Sequence, residues 1–271
     1  MSFNPPTAAS PSVAADVYGE GPAVTLLHGF SQGRASWREM AQMLSGRHRY
    51  ILPDLPGHGL ASHQAASMAA AAAEIVRLWD QLGIDRSHLV GYSLGGRLAL
   101  HLASFHPQRI LSLMTIGAHA GIADRAARQR RLQTDGELAQ QIRERGLEWF
   151  SDYWASLPLF QGLARRGPDF IDQARAWRLQ HSAEGLAASL EGMGAGAMEP
   201  LWDRLSAIAV PTTLLAGMED PAYSARAGAL AERITGARVE LIPQAGHAAH
   251  LEQPGSVARV LDWHLNQSSI R

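Results

Sequence analysis

A serine inside a glycine-rich hexapeptide, Gly91-Tyr92-Ser93-Leu94-Gly95-Gly96, is the strongest chemical signal in the sequence. It fits the pattern G-x-S-x-G, with a short apolar run before it and a helical pattern after it. A serine on so sharp a strand-to-helix turn needs glycines on either side, because Cβ atoms there would collide with the turn. The start of a helix also places N–H groups and a positive dipole end beside the hydroxyl. The pattern predicts that Ser93 is an activated nucleophile or base, with an ordinary glycine-rich turn as the alternative.

Such a hydroxyl needs a histidine that can accept its proton. Twelve histidines occur in the chain, and His247 is the preferred one. It follows the last predicted strand, 239–242, on a loop that we expect to lie over Ser93. The alternatives left open at this point are His250, His28 and His119.

The histidine in turn needs a carboxylate, which we expect after the preceding strand. The segment 217–221 lies there and contains two acids. Asp220 is preferred, because Pro221 fixes the turn behind it and its side chain is the shorter. Glu219 is the alternative.

An oxyanion hole would complete this machinery. We predict that its donors are the backbone N–H groups of Leu94, directly after the serine, and of Phe30. Gly29 is expected to let the chain bend so that the Phe30 N–H points inward, and His28 to shape the loop by hydrogen bonding. Removing one such donor typically costs about 2.7–4 kcal/mol of transition-state stabilisation. His58, in the loop 54–59, is expected to be structural rather than catalytic.

Strands and helices alternate along most of the chain. The predicted strands cover residues 24–27, 50–52, 88–90, 110–116, 212–216 and 239–242. The predicted helices cover residues 37–44, 68–82, 94–106, 224–234 and 256–266. This alternation predicts an α/β fold with a mostly parallel central sheet and helices on both faces.

One stretch interrupts the alternation. Residues 119–200 have no convincing strand pattern and hold ten of the 24 basic residues. We predict a helical cap subdomain over 119–200, inserted into a core of residues 21–118 and 201–271. Residues 1–20 are predicted to be a flexible leader and a first edge strand.

Composition excludes several kinds of chemistry. The 271 residues include no cysteine and no lysine, so all 24 basic residues are arginines against 25 acids. Thiol nucleophiles, cysteine-bound metals, P-loop phosphate sites and Schiff bases are therefore excluded. A net charge of −1 gives no sign of nucleic-acid binding, and no apolar run is long enough to cross a membrane. We expect a cytoplasmic protein without metal or organic cofactor; its oligomeric state is left open.

Four ordered motifs resemble the α/β-hydrolase superfamily. They are the segments 27–30, 54–59, 91–96 and 245–247. A narrower resemblance is to the 2-succinyl-6-hydroxy-2,4-cyclohexadiene-1-carboxylate synthases of menaquinone biosynthesis. It rests on the serine motif 91–96 extended to Arg97. Matching stretches for this family also occur at 124–130, 151–154, 175–178 and 244–250.

The resemblance implies an α/β-hydrolase fold and a reaction. Synthases of this family eliminate pyruvate from a cyclohexene that carries several carboxylates, with the triad serine as the base. The residues it assigns to the substrate are Arg97, Arg128, Arg178, Tyr92 and either Tyr153 or Trp154. The alternatives are a carboxylesterase or a carbon–carbon bond hydrolase that uses Ser93 as nucleophile, and a ligand receptor with an idle triad.

The residues themselves support an anionic substrate. Arg97 lies four positions after Ser93, which is one helical turn, and arginine is suited to bidentate capture of carboxylates. Ten cap arginines nevertheless face eleven cap acids, so ordinary surface ion pairs are the alternative. Arg143 and Arg165, which have no counterpart in the resemblance, are expected to be such pairs.

Overall fold

One mixed sheet organises the chain, which the computed structural model describes over residues 13–44, 46–61 and 67–268. Within these residues seven strands pair in the order β1-β3-β2-β4-β5-β6-β7. Only β1 is antiparallel to its neighbour, β3; every other pairing is parallel. The strands are β1 (Ala15–Tyr18), β2 (Ala23–Leu27), β3 (Arg49–Pro53), β4 (Ser87–Tyr92), β5 (Ile110–Ile116), β6 (Thr212–Gly217) and β7 (Arg238–Ile242). The predicted fold class is confirmed. Of the segment 1–20, predicted to be a flexible leader and a first edge strand, residues 1–12 lie outside the described residues, and β1 is an edge strand.

Helices cover both faces of the sheet. They are α1 (Arg38–Met43), α2 (Met68–Gln81), α3 (Leu94–Phe105), α4 (Arg125–Ser156), α5 (Pro168–Leu179), α6 (Ala183–Met193), α7 (Pro221–Ala231), α8 (Ala249–Glu252) and α9 (Pro254–Ser268). Successive strand residues point to opposite faces, so Leu89 of β4 joins one apolar core and Val90 the other. Helices α2, α3 and α7 complete the first core, and α1 and α9 complete the second.

The segment between β5 and β6, here called the cap segment (119–200), is helical throughout its regular parts. Asp124 begins α4 by accepting a hydrogen bond from the Ala127 N–H at 2.7 Å, as an N-cap residue does. Gly146, with φ 79° and ψ 178°, breaks α4 into two parts. Helix α4 packs on α6 through a separate buried cluster that includes Ile142 and Leu186. None of the described helices is long and apolar enough to cross a membrane.

A series of hydrogen bonds between buried polar side chains joins the sheet to α9. Ser112 Oγ lies 2.7 Å from His88 Nδ1 and 2.8 Å from His264 Nε2, and the other nitrogen of His264 lies 2.9 Å from Thr213 Oγ1. Burial lowers the pKa of both His88 and His264 to about 4. Both rings are therefore neutral at pH 7, and their hydrogen bonds join β4, β5, β6 and α9.

The two buried histidines of this hydrogen-bonded series predict how the stability of the protein depends on pH. Between pH 6.5 and about 4 the unfolded histidines are protonated and the folded ones are not, so the free energy of unfolding should fall as the pH falls through this window. Each shift is worth about 3 kcal/mol at most. In His264→Gln one such group is removed, and the slope of the free energy of unfolding against pH should fall by about 1.4 kcal/mol per unit. Urea unfolding at several pH values measures both slopes; equal slopes would contradict the assignment.

Candidate active site

Ser93 lies on a strained turn at the end of β4. Its φ of 51° and ψ of −107° are unusual for a residue with a side chain, and α3 begins at the next residue. The glycines of the motif make room for this turn. A Cβ atom on Gly91 would lie 2.2 Å from the carbonyl oxygen of Gly95, and one on Gly95 would lie 2.2 Å from the carbonyl oxygen of Leu27. The geometry is that of a nucleophile elbow.

Three side chains from three different loops meet at this elbow. His247 Nε2 lies 3.1 Å from Ser93 Oγ, and His247 Nδ1 lies 3.0 Å from Asp220 Oδ2. An ionised carboxylate can only accept, so Nδ1 carries the proton and Nε2 is free to accept one from the serine. Ser93, His247 and Asp220 therefore have the arrangement of a catalytic triad.

Asp220 is held in place by its own helix. It is the N-cap of α7 and accepts a hydrogen bond from the Tyr223 N–H at 3.1 Å, with Pro221 at the first helical position. Burial alone would raise the pKa of the Asp220 carboxyl, but the hydrogen bonds from His247 and Tyr223 hold that pKa below its ordinary value. The carboxylate is therefore ionised near neutral pH and can orient the histidine.

Three of the alternatives raised by the sequence are engaged with other partners. Glu219 accepts a hydrogen bond from Arg165 at 2.8 Å and forms none with His247. His250 is buried between Trp37 and Tyr92, with ring centroids 4.5 and 4.3 Å away. His28 bonds only to backbone groups within the described chain.

The two residues expected to supply the oxyanion donors line the cavity over the serine. Phe30 and Leu94 line the same cavity as Ser93, and the Leu94 N–H is one of the helix's first, which have no partner within the helix. Gly29 has no positive φ, and a Cβ atom there would lie 2.5 Å from the ring of Tyr92, so the close approach of Tyr92 requires a glycine at this position.

Neutral histidines hold the loop that carries Phe30. Ser31, the next residue, has a strained φ of 62°. Its N–H donates to His58 Nε2 at 3.1 Å, and its carbonyl lies 3.1 Å from His181 Nε2. Burial lowers the pKa of His181 to about 4 and that of His58 well below its ordinary value. His58 thus contacts backbone rather than the reacting serine, in line with a structural role.

A cavity of about 120 Å³ lies over the serine. Its polar wall comes from both the core and the cap segment. The residues of that wall are Ser93, Arg97, His119, Arg131, Ser189, Tyr223 and His247. The Ser189 hydroxyl is buried and has no hydrogen-bond partner among the described residues. The cavity therefore offers unused donors to a ligand.

Arg97 is a buried cation with no carboxylate within 4.0 Å in the described part of the chain, although Asp135 is close enough for its charge to act on the guanidinium. One of its nitrogens donates to the Met193 carbonyl at 2.7 Å and approaches the Met198 sulfur at 4.0 Å. Burial lowers the pKa of this guanidinium to about 10, so it is still charged at pH 7. A charge buried without a counter-ion costs stability, and such a residue often serves a ligand.

Arg128, which the resemblance assigned to the substrate, lies outside this cavity. It donates to Glu199 at 2.9 Å and is not among the residues that line the cavity. Arg131, three positions later on α4, lies there instead, although its Nε also donates to Asp135 at 2.7 Å. Positions three apart lie on nearly the same side of a helix but about 4.5 Å apart along its axis, and a motif match does not report which of the two reaches the cavity.

Arg178 lines a second cavity of about 60 Å³ next to the first. Its Nε donates to Ser151 Oγ at 2.9 Å. Burial, and then the neighbouring Arg175, lowers the pKa of Arg178. Phe30, Trp154 and Phe160 line both cavities and separate them. Arg178 therefore reaches the serine only past these three aromatic side chains.

Trp154, rather than Tyr153, lies in the cavity wall. Tyr153 is 39% exposed and stacks on Trp149. Tyr92 is buried and lines the second cavity.

The cavity wall includes donors that sequence analysis did not assign to the substrate. His119 Nδ1 accepts the N–H of Gly121 at 2.9 Å, so its proton is on Nε2. Burial and then the charge of Arg97 lower the pKa of His119 well below its ordinary value, which keeps the ring neutral. His119 appeared in the sequence only as a rival for the triad. Ser189 carried no signal at all, because a serine inside a helix is unremarkable.

Comparison with known proteins agrees with the fold and the elbow. Residues 22–254 match the family described as alpha/beta hydrolase fold, and the chain belongs to that family. Within it, the 2-succinyl-6-hydroxy-2,4-cyclohexadiene-1-carboxylate synthase of Enterobacter sp. (strain 638) is 34% identical over 245 residues, which are 89% of this chain and 90% of that protein. The similarity to these synthases that the sequence motifs predicted is confirmed.

Solved structures give the same picture. MenH from S. aureus matches with a TM-score of 0.90 at 28% identity, covering 94% of this chain and 98% of that one. A thermophilic esterase from Thermogutta terrifontis, with malate bound, matches with a TM-score of 0.84 at 27% identity, covering 94% and 93%.

The buried charge of Arg97 predicts a conflict between stability and ligand binding. Arg97→Met removes a desolvated cation and fills its space, so the free energy of unfolding should rise by about 1–2 kcal/mol. Denaturant unfolding of the variant and of the unmodified protein measures the change. Arg143→Met, at an exposed ion pair with Glu184 and Glu191, should change stability by about 0.5 kcal/mol or less. A loss of stability in Arg97→Met would mean that the guanidinium is a structural element.

Proposed function

We propose that the protein is a lyase that forms 2-succinyl-6-hydroxy-2,4-cyclohexadiene-1-carboxylate by eliminating pyruvate from an enol-pyruvyl cyclohexene precursor. One observation carries the proposal: the buried guanidinium of Arg97, which forms no direct ion pair among the described residues, lines the same cavity as the Ser93–His247 pair. A basic centre beside a buried cation suits a substrate that is an anion. The names of similar proteins, a synthase of Enterobacter among them, supply the substrate class.

The proposed step is a proton abstraction followed by loss of the leaving group. His247, oriented by Asp220, accepts the proton of Ser93, and Ser93 Oγ takes a proton from the substrate ring. The electron pair of that C–H bond forms a ring double bond, the C–O bond to the enol-pyruvyl group breaks, and pyruvate leaves as its enolate. The N–H groups of Phe30 and Leu94 stabilise negative charge on the conjugated oxygen. General-base catalysis contributes about 10²–10⁴-fold, and positioning and electrostatics supply the rest.

The carboxylates of the substrate would meet the arginines. Arg97 and Arg131 would bind those closest to the reacting carbon, with the Ser189 hydroxyl and the His119 Nε2–H as further donors. Arg178 would bind a distant carboxylate after the aromatic side chains between the two cavities move aside. Binding energy from these remote groups would hold the ring over Ser93.

A carboxylesterase is the second candidate. The triad geometry suits an acyl-enzyme equally well, and the similar esterase of Thermogutta terrifontis supports this alternative. An idle triad in a ligand receptor is a weaker alternative, because both hydrogen bonds of His247 are intact.

Incubation with the enol-pyruvyl precursor decides between these functions. The lyase should release pyruvate in proportion to the ring product, without a covalent intermediate on Ser93. An esterase should instead give a burst of p-nitrophenol from an activated ester and no pyruvate.

The triad gives the next prediction. Ser93→Ala, His247→Ala and Asp220→Asn should each lower kcat for pyruvate release by about 10³–10⁶-fold, and the losses should not multiply in combined variants, because the three residues act as a unit. Steady-state kinetics on the purified variants measure this. Near-normal turnover in Ser93→Ala would contradict the mechanism for any substrate.

Arg128 and Arg131, three positions apart on α4, offer a matched comparison. A charge-assisted hydrogen bond is worth about 1.5–3 kcal/mol, so Arg97→Ala, Arg131→Ala and Arg178→Ala should each lower kcat/KM for the polycarboxylate about 10–150-fold. Arg128→Ala should lower it by less than about 3-fold, since its ion pair with Glu199 is exposed.

Hydrolysis of a neutral p-nitrophenyl ester is the control for these variants, because that substrate has no carboxylate to lose. Equal, small losses on both substrates would favour the esterase. A larger loss in Arg128→Ala than in Arg131→Ala would restore the assignment implied by the resemblance.

A further inference from the structure

We infer that Glu252 and Arg165 form a clamp that positions His247 and makes that position depend on the cap segment. The inference rests on the proposed role of His247 and applies to any reaction that uses it. Both clamp residues lie outside the triad and outside the two cavities described above.

Glu252 holds the backbone on both sides of His247. Its carboxylate accepts the Gly246 N–H at 2.8 Å and the Ala248 N–H at 3.2 Å, one with each oxygen. Its side chain is fully buried. The Glu219 N–H also donates to the Ala245 carbonyl at 2.9 Å, but the two bonds to Glu252 hold the residues directly before and after His247 and so help to fix the position of its backbone.

Arg165 connects this carboxylate to the cap segment. One of its nitrogens lies 3.1 Å from Glu252, 2.8 Å from Glu219 and 3.1 Å from the Gln244 carbonyl. Glu219 precedes Asp220, and Gln244 lies three residues before His247. A single guanidinium therefore contacts the loops of both the acid and the histidine.

The cap segment approaches Glu252 very closely. A Cβ atom on Gly162 would lie 1.9 Å from a Glu252 oxygen, so only glycine fits there. Gly162 and Arg165 belong to the 3-10 helical stretch Pro158–Arg166, whose Phe160 lines the cavity over Ser93. A ligand that displaces the backbone of this stretch at Phe160 would therefore also displace Arg165.

The charges explain why this contact matters. Arg165 is the sole cation within 4.0 Å of the Glu252 carboxylate among the described residues. A buried carboxylate without a cation is costly, so withdrawal of the cap segment would weaken the grip on the His247 loop. Arg165, expected to be an ordinary surface pair, thus has a second partner that is buried. Arg143 fits the original expectation, because its partners Glu184 and Glu191 are exposed.

Three variants test the clamp. Glu252→Gln leaves one acceptor oxygen for two N–H groups, and kcat should fall about 10–100-fold while KM changes less than about 3-fold, because Glu252 does not touch the substrate cavity. Arg165→Met should lower kcat about 3–10-fold, and the double variant should be no worse than Glu252→Gln, because the two residues act together. Arg143→Met is the matched control and should match the unmodified protein.

The second readout needs no substrate. The Nδ1 proton of His247, hydrogen-bonded to Asp220, gives a low-field proton NMR signal that is assigned by its loss in His247→Ala. The signal should broaden or shift in Glu252→Gln and Arg165→Met and stay unchanged in Arg143→Met. Thermal unfolding by circular dichroism verifies that each variant is folded.

The outcomes separate the clamp from the proposed function. A Glu252→Gln variant with an unchanged His247 signal and kcat within 2-fold overturns the clamp. A fall in kcat with an unchanged signal, or additive losses in the double variant, also overturns it. Absence of pyruvate release by the unmodified protein overturns the proposed lyase. In that case kcat is measured for ester hydrolysis instead, and the low-field His247 signal still tests the clamp.

Discussion

The hydrogen bond between His247 and Ser93 is the contact on which the rest of the structure depends. It joins side chains 154 residues apart, at the carboxyl ends of β4 and β7. A parallel sheet brings these ends to one edge, and the strained elbow raises the serine above it. Gly117, at the end of β5, has a positive φ, and a Cβ atom there would lie 3.0 Å from the His247 ring. The sheet thus leaves a defined space for the imidazole.

The cavity wall offers more donors than acceptors. Arg97 is buried with no carboxylate within 4.0 Å among the described residues, while the nearby His119 is neutral because burial and that same charge lower its pKa. Ser189 adds a hydroxyl with no partner in the described chain. The buried charge of Arg97 and the unpartnered Ser189 hydroxyl cost stability in the free protein, and an anionic ligand would offer acceptors to both. This is the physical link between the fold and the proposed substrate class.

The cap segment covers the candidate active site and also contributes hydrogen bonds to the loops that form it. His181, after α5, fixes the strained Ser31 beside Phe30, and Arg165 reaches the loops of Asp220 and His247. Contacts from one inserted segment therefore reach both the predicted oxyanion donors and the triad. A shift of the cap segment would displace both sets of contacts, and this is the basis of the proposed clamp.

The sequence by itself determined the fold class, the elbow and its order relative to the acid and histidine loops, because these depend on local patterns: glycine spacing, strand-like runs and turn residues. The tertiary structure decided what depends on rotation and distance. Whether Arg128 or Arg131 reaches the cavity depends on where α4 lies along its axis relative to the cavity, because residues three apart share a helix face. The choice of Trp154 over Tyr153 depends on how α4 is turned about its axis, because adjacent residues point about 100° apart. Glu252 could not be assigned from sequence either. Its carboxylate acts through backbone N–H groups, which every residue except proline carries, so no residue pattern marks its partners.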